Sequence, residues 1–213
     1  MSDSSTGEGE GKSEAEGKGL LFIISGPAGS GKTTICDGLM EKESLQRIVT
    51  STTRSPRQGE CDGLDYHFLN TQDFETKITE DAFYEYATVH NNYYGTQKAD
   101  ILKPILSGQN LLLNIDVQGA KTITEKASAD DVLKGHIVTI FIMPPSLEEL
   151  NARLRNRGTD SEEEIARRLI VARTEMEQQK YYDYTITSQS KSVDLITALD
   201  IYKKEVAGLT QSD

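Results

Sequence analysis

Uninterrupted apolar stretches recur along the chain at wide intervals. Residues 20–25 read Leu-Leu-Phe-Ile-Ile-Ser, a short continuous run of the kind seen when both faces of a strand are buried in a parallel sheet. Comparable runs occupy residues 111–115 and 137–143, with a weaker one at 184–187, and segments of helical character separate them. That alternation predicts βαβ units and an α/β fold with a parallel central sheet.

Helix starts are marked in two places. Ser146-Leu-Glu-Glu149 and Ser161-Glu-Glu-Glu164 each set a hydroxyl three residues before a glutamate, the pattern of a capping box. Pro144 and Pro145 close the strand before the first helix, and Gly158 is placed to end it. Residues 50–97 have a different texture, rich in Thr, Arg, Gly and Tyr. The short alternation Tyr66-His-Phe-Leu69 and the helical spacing of Phe74 and Ile78 predict an inserted mixed β/α lobe there.

The length of 213 residues suits one domain with small mobile subdomains. A net charge of -11 argues against a protein that tracks a nucleic-acid backbone. No apolar run approaches the roughly 20 residues a membrane-spanning helix needs. Cys36 and Cys61 lack metal spacing and read as reduced thiols, while His67, His90 and His136 form no ligand pattern. Residues 1–18 hold Gly, Ser and Glu without an apolar core, so a disordered tail and a cytoplasmic protein are expected.

Gly26-Pro-Ala-Gly-Ser-Gly-Lys-Thr33 fits G-x-x-x-x-G-K-[ST] and lies between the first apolar run and a helical stretch reaching about Lys42. Glycines let successive backbone N–H groups turn inward onto phosphate oxygens, where a helix N-terminus adds partial positive charge. Lys32 is expected to bridge the β- and γ-phosphates, and the Thr33 hydroxyl to ligate Mg²⁺. The alternative, a chance glycine-rich turn, fits poorly with that placement. The loop says nothing of the acceptor, because hydrolases and small-molecule kinases share it.

Thr50-Ser-Thr-Thr-Arg54-Ser-Pro-Arg57-Gln-Gly-Glu60, followed by Tyr66, is too polar for a core. Two guanidinium groups three residues apart, with a carboxylate to orient them, suit a monophosphate; charge alone allows a solvated basic loop equally well. Arg153 and Arg157, four apart on one helix face, would by spacing alone also mark a solvated surface.

The order of several motifs narrows the choice. Thr-Thr-Arg-Ser-Pro-Arg-Gln-Gly-Glu, Asp65-Tyr-His-Phe68, Phe83-Tyr-Glu-Tyr86, Tyr94-Gly-Thr96, Ile115-Asp-Val-Gln-Gly119 and Arg153-Leu-Arg-Asn-Arg157-Gly-Thr resemble guanylate kinase motifs in that family's order, across residues 20–208. The resemblance implies a three-layer P-loop NTPase core (residues 19–49, 98–144 and 166–208), a GMP-binding lobe (50–97) and a helical lid (145–165). It implies transfer of a phosphoryl group from ATP to GMP with Mg²⁺, and no nucleic-acid or membrane partner. Gly26, Ala28, Gly29, Ser30, Gly31, Lys32, Thr33 and Thr34 would hold ATP, with Thr33 on the metal. Arg54, Arg57, Tyr66 and Tyr94 would hold the GMP phosphate, supported by Glu60. Thr50, Glu85, Gly95, Thr96 and Asp116 would complete the GMP site. Lys32, Arg57, Arg153, Arg157 and Arg168 would act on the transferring group, and no general base is assigned.

The base-reading role has chemical sense, since a carboxylate can accept from guanine N1–H and its exocyclic amine together, with a hydroxyl at O6. Without the flanking motifs Glu85 would read as a surface glutamate between aromatics. Three positions depart from the family pattern: Asn114 stands where an acid is common, Ser188-Gln189 where Asn-Asp is frequent, and Thr50 where serine is usual. Two rivals remain, a peptide-binding guanylate-kinase-like module that has lost catalysis, and a P-loop kinase for another small acceptor.

Overall fold

A computed structural model describes residues 17–89, 91–158 and 161–209, with the side chain of Arg157 excluded. The tail expected over residues 1–18 therefore lies outside the described residues except for Gly17 and Lys18, as does His90.

Five parallel strands form the central sheet. The apolar runs become β1 (Leu21–Ser25), β7 (Leu111–Asn114), β8 (Ile137–Met143) and β9 (Tyr184–Thr187), and β2 (Gln46–Arg47) adds an edge, in the order β2-β7-β1-β8-β9. Period-two alternation splits β1 between the two faces. Phe22 and Ile24 pack with Ile35 and Leu39 of α1 (Lys32–Lys42) and with Ala198 and Ile201 of α7 (Lys191–Leu209). Leu21 and Ile23 face α3 (Ala99–Leu106) and α4 (Val117–Ala127) through Ile101, Ile105, Ala120 and Ile123. The layers are thus helix, sheet, helix. Each fully buried aliphatic side chain contributes roughly 1.5–3 kcal/mol.

A second sheet of mixed direction occupies the inserted segment. β3 (Ser51–Thr52), β4 (His67–Phe68), β5 (Phe83–Val89) and β6 (Asn92–Gln97) pair in the order β4-β3-β6-β5. β3 runs parallel to β4 and antiparallel to β6. Its small core is aromatic: Phe74 of α2 (Thr71–Thr79) stacks on Phe83 at 4.5 Å and on Tyr93 at 5.1 Å between ring centroids. The next residue along β5 joins the lobe to the main body, because Tyr84 buries its ring among Ile101, Ile105 and Ile123 and its hydroxyl donates to Asp130 Oδ2 at 2.7 Å.

Both predicted helix starts form with the serine as N-cap, while the Glu149 and Glu164 carboxylates turn to arginines on their own helices. Ser146 accepts from the Glu149 amide at the start of α5 (Leu147–Arg157), and Ser161 accepts from the Glu164 amide at the start of α6 (Glu162–Met176). Gly158 caps α5 in the left-handed conformation at φ 67°. The two helices share a cluster of their own made of Leu150, Leu154, Ile165 and Ala172. α6 runs unbroken past residue 165 into a 3-10 turn (Glu177–Tyr181), and on either side of that turn Met176 and Tyr182 pack on Val117, Phe141 and Met143 of the main body. No helix among the described residues is long and apolar enough to cross a membrane.

Candidate active site

The glycine-rich loop lies where β1 meets α1. At Gly26, φ is 137° and a Cβ would come within 2.4 Å of the Ile142 carbonyl oxygen, so backbone conformation and space both demand glycine. Gly29 (φ 86°) has the same backbone requirement, and a Cβ there would meet Leu154 of α5 at 3.0 Å, which shows how closely α5 packs on the loop. Lys32 Nζ donates to the carbonyls of Gly26 at 2.7 Å and Pro27 at 2.9 Å. Its ammonium is partly desolvated; burial pulls its pKa down while Glu175 and Asp116 oppose that shift. The Ser30 hydroxyl is buried with no hydrogen-bond partner, whereas Thr33 and Thr34 are exposed.

This loop floors an open cleft of about 420 Å³ walled by Gly26, Ala28, Lys32, Asn114, Asp116 and the inward face of α6. α6 contributes Arg168 and also Arg167, Glu164 and Glu175, which composition alone did not single out. Arg168 Nε donates to Glu164 Oε1 at 3.1 Å. Arg153 is held elsewhere: Nε donates to Glu149 at 3.0 Å and Nη1 to the Ser188 hydroxyl at 3.1 Å, and that hydroxyl donates in turn to buried Asp194 at 2.8 Å. The Arg157 side chain lies outside the described residues.

The donor set suits magnesium. Thr33 offers one exposed hydroxyl, 3.4 Å from Asn114 Nδ2, and Asn114 in turn lines the cleft that holds the carboxylates of Asp116 and Glu175. Among the described residues no cluster of three His, Cys, Asp or Glu side chains could cage an ion. Mg²⁺ is commonly held in this sparse way, by one or two protein oxygens together with phosphates and water.

In the inserted lobe, Arg54 Nη2 bonds Glu60 Oε1 at 2.8 Å, while Glu60 Oε2 accepts from the Arg57 backbone amide at 2.7 Å. The arginine holds the Glu60 carboxyl below the usual carboxylate range. The Arg54 guanidinium also sits 5.4 Å from the Tyr66 ring centroid, and the Tyr66 and Tyr94 rings meet edge-on at 6.1 Å. Arg54, Glu60, Tyr66 and Tyr94 therefore form one constellation, with the Arg57 side chain exposed at its margin.

Glu85 lies on β5 opposite Thr96 of β6, and the residue is 9% exposed. The Thr96 hydroxyl donates to Glu85 Oε1 at 2.7 Å. Burial pushes the Glu85 carboxyl up, the Thr96 bond works against that, and the negative charge of Asp116 adds to the rise. Since the Thr96 hydrogen is engaged with Glu85, its hydroxyl orients the carboxylate and is not free to donate elsewhere. Gly95 pairs with Ser51 next to this site, and the Thr50 carbonyl accepts from the His67 amide. Asp116 caps α4 by accepting from the Gly119 amide at 2.8 Å, and its field reaches both Lys32 and Glu85, so it links the loop to the lobe.

The glycine-rich loop with Lys32 and the lobe with its Arg54–Glu60 pair and buried Glu85–Thr96 pair belong to a chain that known proteins resemble over most of its length. A guanylate kinase family model matches residues 18–199. The chain belongs to the guanylate kinase family. It is 44% identical to the guanylate kinase of Caldanaerobacter subterraneus over 88% of this chain and 89% of the relative, and 40% identical to that of Bartonella quintana over 89% and 83%. The crystal structure of guanylate kinase from Anaplasma phagocytophilum superposes with a TM-score of 0.68 at 28% identity, covering 93% of this chain and 96% of that one. Within a guanylate kinase frame, Glu164, Arg168, Val171 and Glu175 follow at intervals of four, three and four, a spacing legible in the sequence as one helical stripe.

Proposed function

We infer that this chain transfers the γ-phosphoryl group of ATP to GMP, giving ADP and GDP. The observation that carries the inference is the pairing of a buried, hydroxyl-oriented Glu85 with the Arg54–Glu60–Tyr66–Tyr94 constellation on one lobe, linked through the charge of Asp116 to a lysine-bearing phosphate loop. Glu85 accepts from guanine N1–H and the exocyclic amine, an edge adenine does not offer. Arg54 and Arg57 clasp the monophosphate, with Glu60 fixing the first through its side chain and the second through its backbone. Tyr66, Tyr94, Gly95, Thr50 and Thr96 complete that lobe, spanning 50–97.

Residues 26–34 hold the ATP phosphates on backbone N–H groups, and Lys32 exchanges its carbonyl partners for phosphate oxygens. Thr33 would hold Mg²⁺, which would supply positive charge to the donor phosphates, and Asp116 lines the adjoining cleft. An oxygen of the GMP phosphate, ionised at neutral pH, attacks the γ-phosphorus in line as the bond to ADP breaks, so no general base is needed. Arg168 and Lys32 face the transferring group, and Arg153 and Arg157 approach when the lid (145–165) closes, excluding water. The exposed Cys61 thiol and the buried Cys36 thiol, pushed up to about 12 by burial, suit a reducing compartment such as the cytoplasm.

Steady-state rates with ATP and Mg²⁺ against GMP, AMP, CMP and UMP test the assignment. GMP should exceed each of the others by orders of magnitude. Comparable rates with AMP would defeat it, and no turnover with any of the four would favour a binding module.

A further inference from the structure

Glu175 lines the phosphate cleft, and the transfer steps above give it no part. It is partly buried, which raises its pKa, yet no hydrogen bond or ion pair to another described residue accompanies that burial. The charge of Lys32 works against that rise, so the carboxylate meets its compensating charge across the cleft and not in a bonded pair. Glu164 on the same helical stripe behaves otherwise, engaging both Arg167 and Arg168.

Its placement narrows the explanation. Glu175 shares the cleft wall with Lys32 and Asp116, and its charge is the strongest of those opposing the desolvation of the Lys32 ammonium. It is also mounted rigidly: its neighbour Met176 packs on Val117, Phe141 and Met143. Arg168, the stripe's cation, lies seven residues away, two helical turns along the same face. A carboxylate so fixed has a Coulombic hold on the lysine that does not saturate its hydrogen bonds, and it sets the lysine at a defined distance from the arginine.

We propose that Glu175 is a positioning residue for phosphoryl transfer: it draws the Lys32 ammonium off the Gly26 and Pro27 carbonyls toward the cleft, and registers α6, with Arg168, against the phosphate loop. This rests on the kinase reading above. A negative charge in an anion site weakens ground-state binding of ATP, so any rate advantage it gives has to arise in the transition state.

The test is Glu175→Gln in the full chain, with GMP, ATP and Mg²⁺. The expected result is a kcat lower by roughly tenfold, a KM for ATP that is unchanged or lower, and an unchanged Tm. Glu175→Asp should recover part of the loss. In a Lys32→Met background, where the lysine is gone, Glu175→Gln should cost less than about twofold more, because the two act as a unit. An unaltered kcat in Glu175→Gln, a loss that follows a fall in Tm, or full tenfold loss on top of Lys32→Met would each overturn the proposal. A wild-type chain without GMP kinase activity would instead remove the reading beneath it.

Discussion

Replacing Glu85 by glutamine separates what this residue does for stability from what it does for base choice. The substitution keeps the shape, and the glutamine carbonyl can still accept from Thr96, as Glu85 Oε1 does at 2.7 Å. The other oxygen becomes an NH₂, which turns a donor toward the guanine donors. Losing one charge-assisted hydrogen bond costs about 1.5–3 kcal/mol, and leaving buried donors unpaired costs about 1–3 kcal/mol more. At about 1.4 kcal/mol per decade, kcat/KM for GMP should fall by ~10²–10⁴, with selectivity over AMP falling alongside.

Stability should move the other way. The folded-state pKa of Glu85 is raised by burial, so the folded protein binds this proton more tightly than the unfolded chain does. Its ionisation therefore costs nothing below the unfolded pKa and costs progressively more as pH rises through the folded pKa. Nucleotide-free Glu85→Gln should accordingly withstand more urea than wild type at pH 8, with the advantage shrinking toward pH 4. Kinetics with GMP and AMP, together with denaturation at both pH values, measure both effects. A variant that keeps GMP selectivity within threefold refutes the base-reading role; one that is less stable at pH 8 refutes the burial argument.

Other consequences follow from the same geometry. Lys32→Ala should lower kcat by at least about 10²-fold with circular-dichroism melting nearly unchanged, because Nζ bonds only loop carbonyls and packs no core. Arg54→Lys should raise KM for GMP by roughly tenfold or more, since an ammonium cannot both bond Glu60 and lie flat against Tyr66; isothermal titration with GMP alone checks it. GMP affinity should weaken as pH falls through the raised pKa of Glu85, at a higher pH than an ordinary glutamate would give. Glu85→Gln should abolish that limb, and the second ionisation of the phosphate, near about 6, cancels in the comparison of the two proteins.

Features set by neighbours in sequence were legible before the fold was known. The buried strands announced themselves as apolar runs, and Ser146 and Ser161 marked helix starts through a side chain reaching three residues ahead. The lobe was harder to draw in detail, because β3 and β4 are two residues each and too short to show a period. Phe83 and Tyr84 look alike in sequence, yet one joins the lobe stack and the other the main core. Arg54 with Glu60 was legible as a local pair. The Thr96 bond to Glu85 was not, since it depends on β5–β6 register. Arg153 on Ser188 and Glu175 near Lys32 depend on how α5 and α6 lie over the sheet, which spacing does not encode.

The central claim is that one buried carboxylate reads the acceptor base, and a crystal structure with GMP bound tests it most directly. The account expects both Glu85 carboxylate oxygens within about 3.2 Å of guanine N1 and its exocyclic nitrogen, with Arg54 on the phosphate. A base seated away from Glu85, or a phosphate held without Arg54, would contradict it.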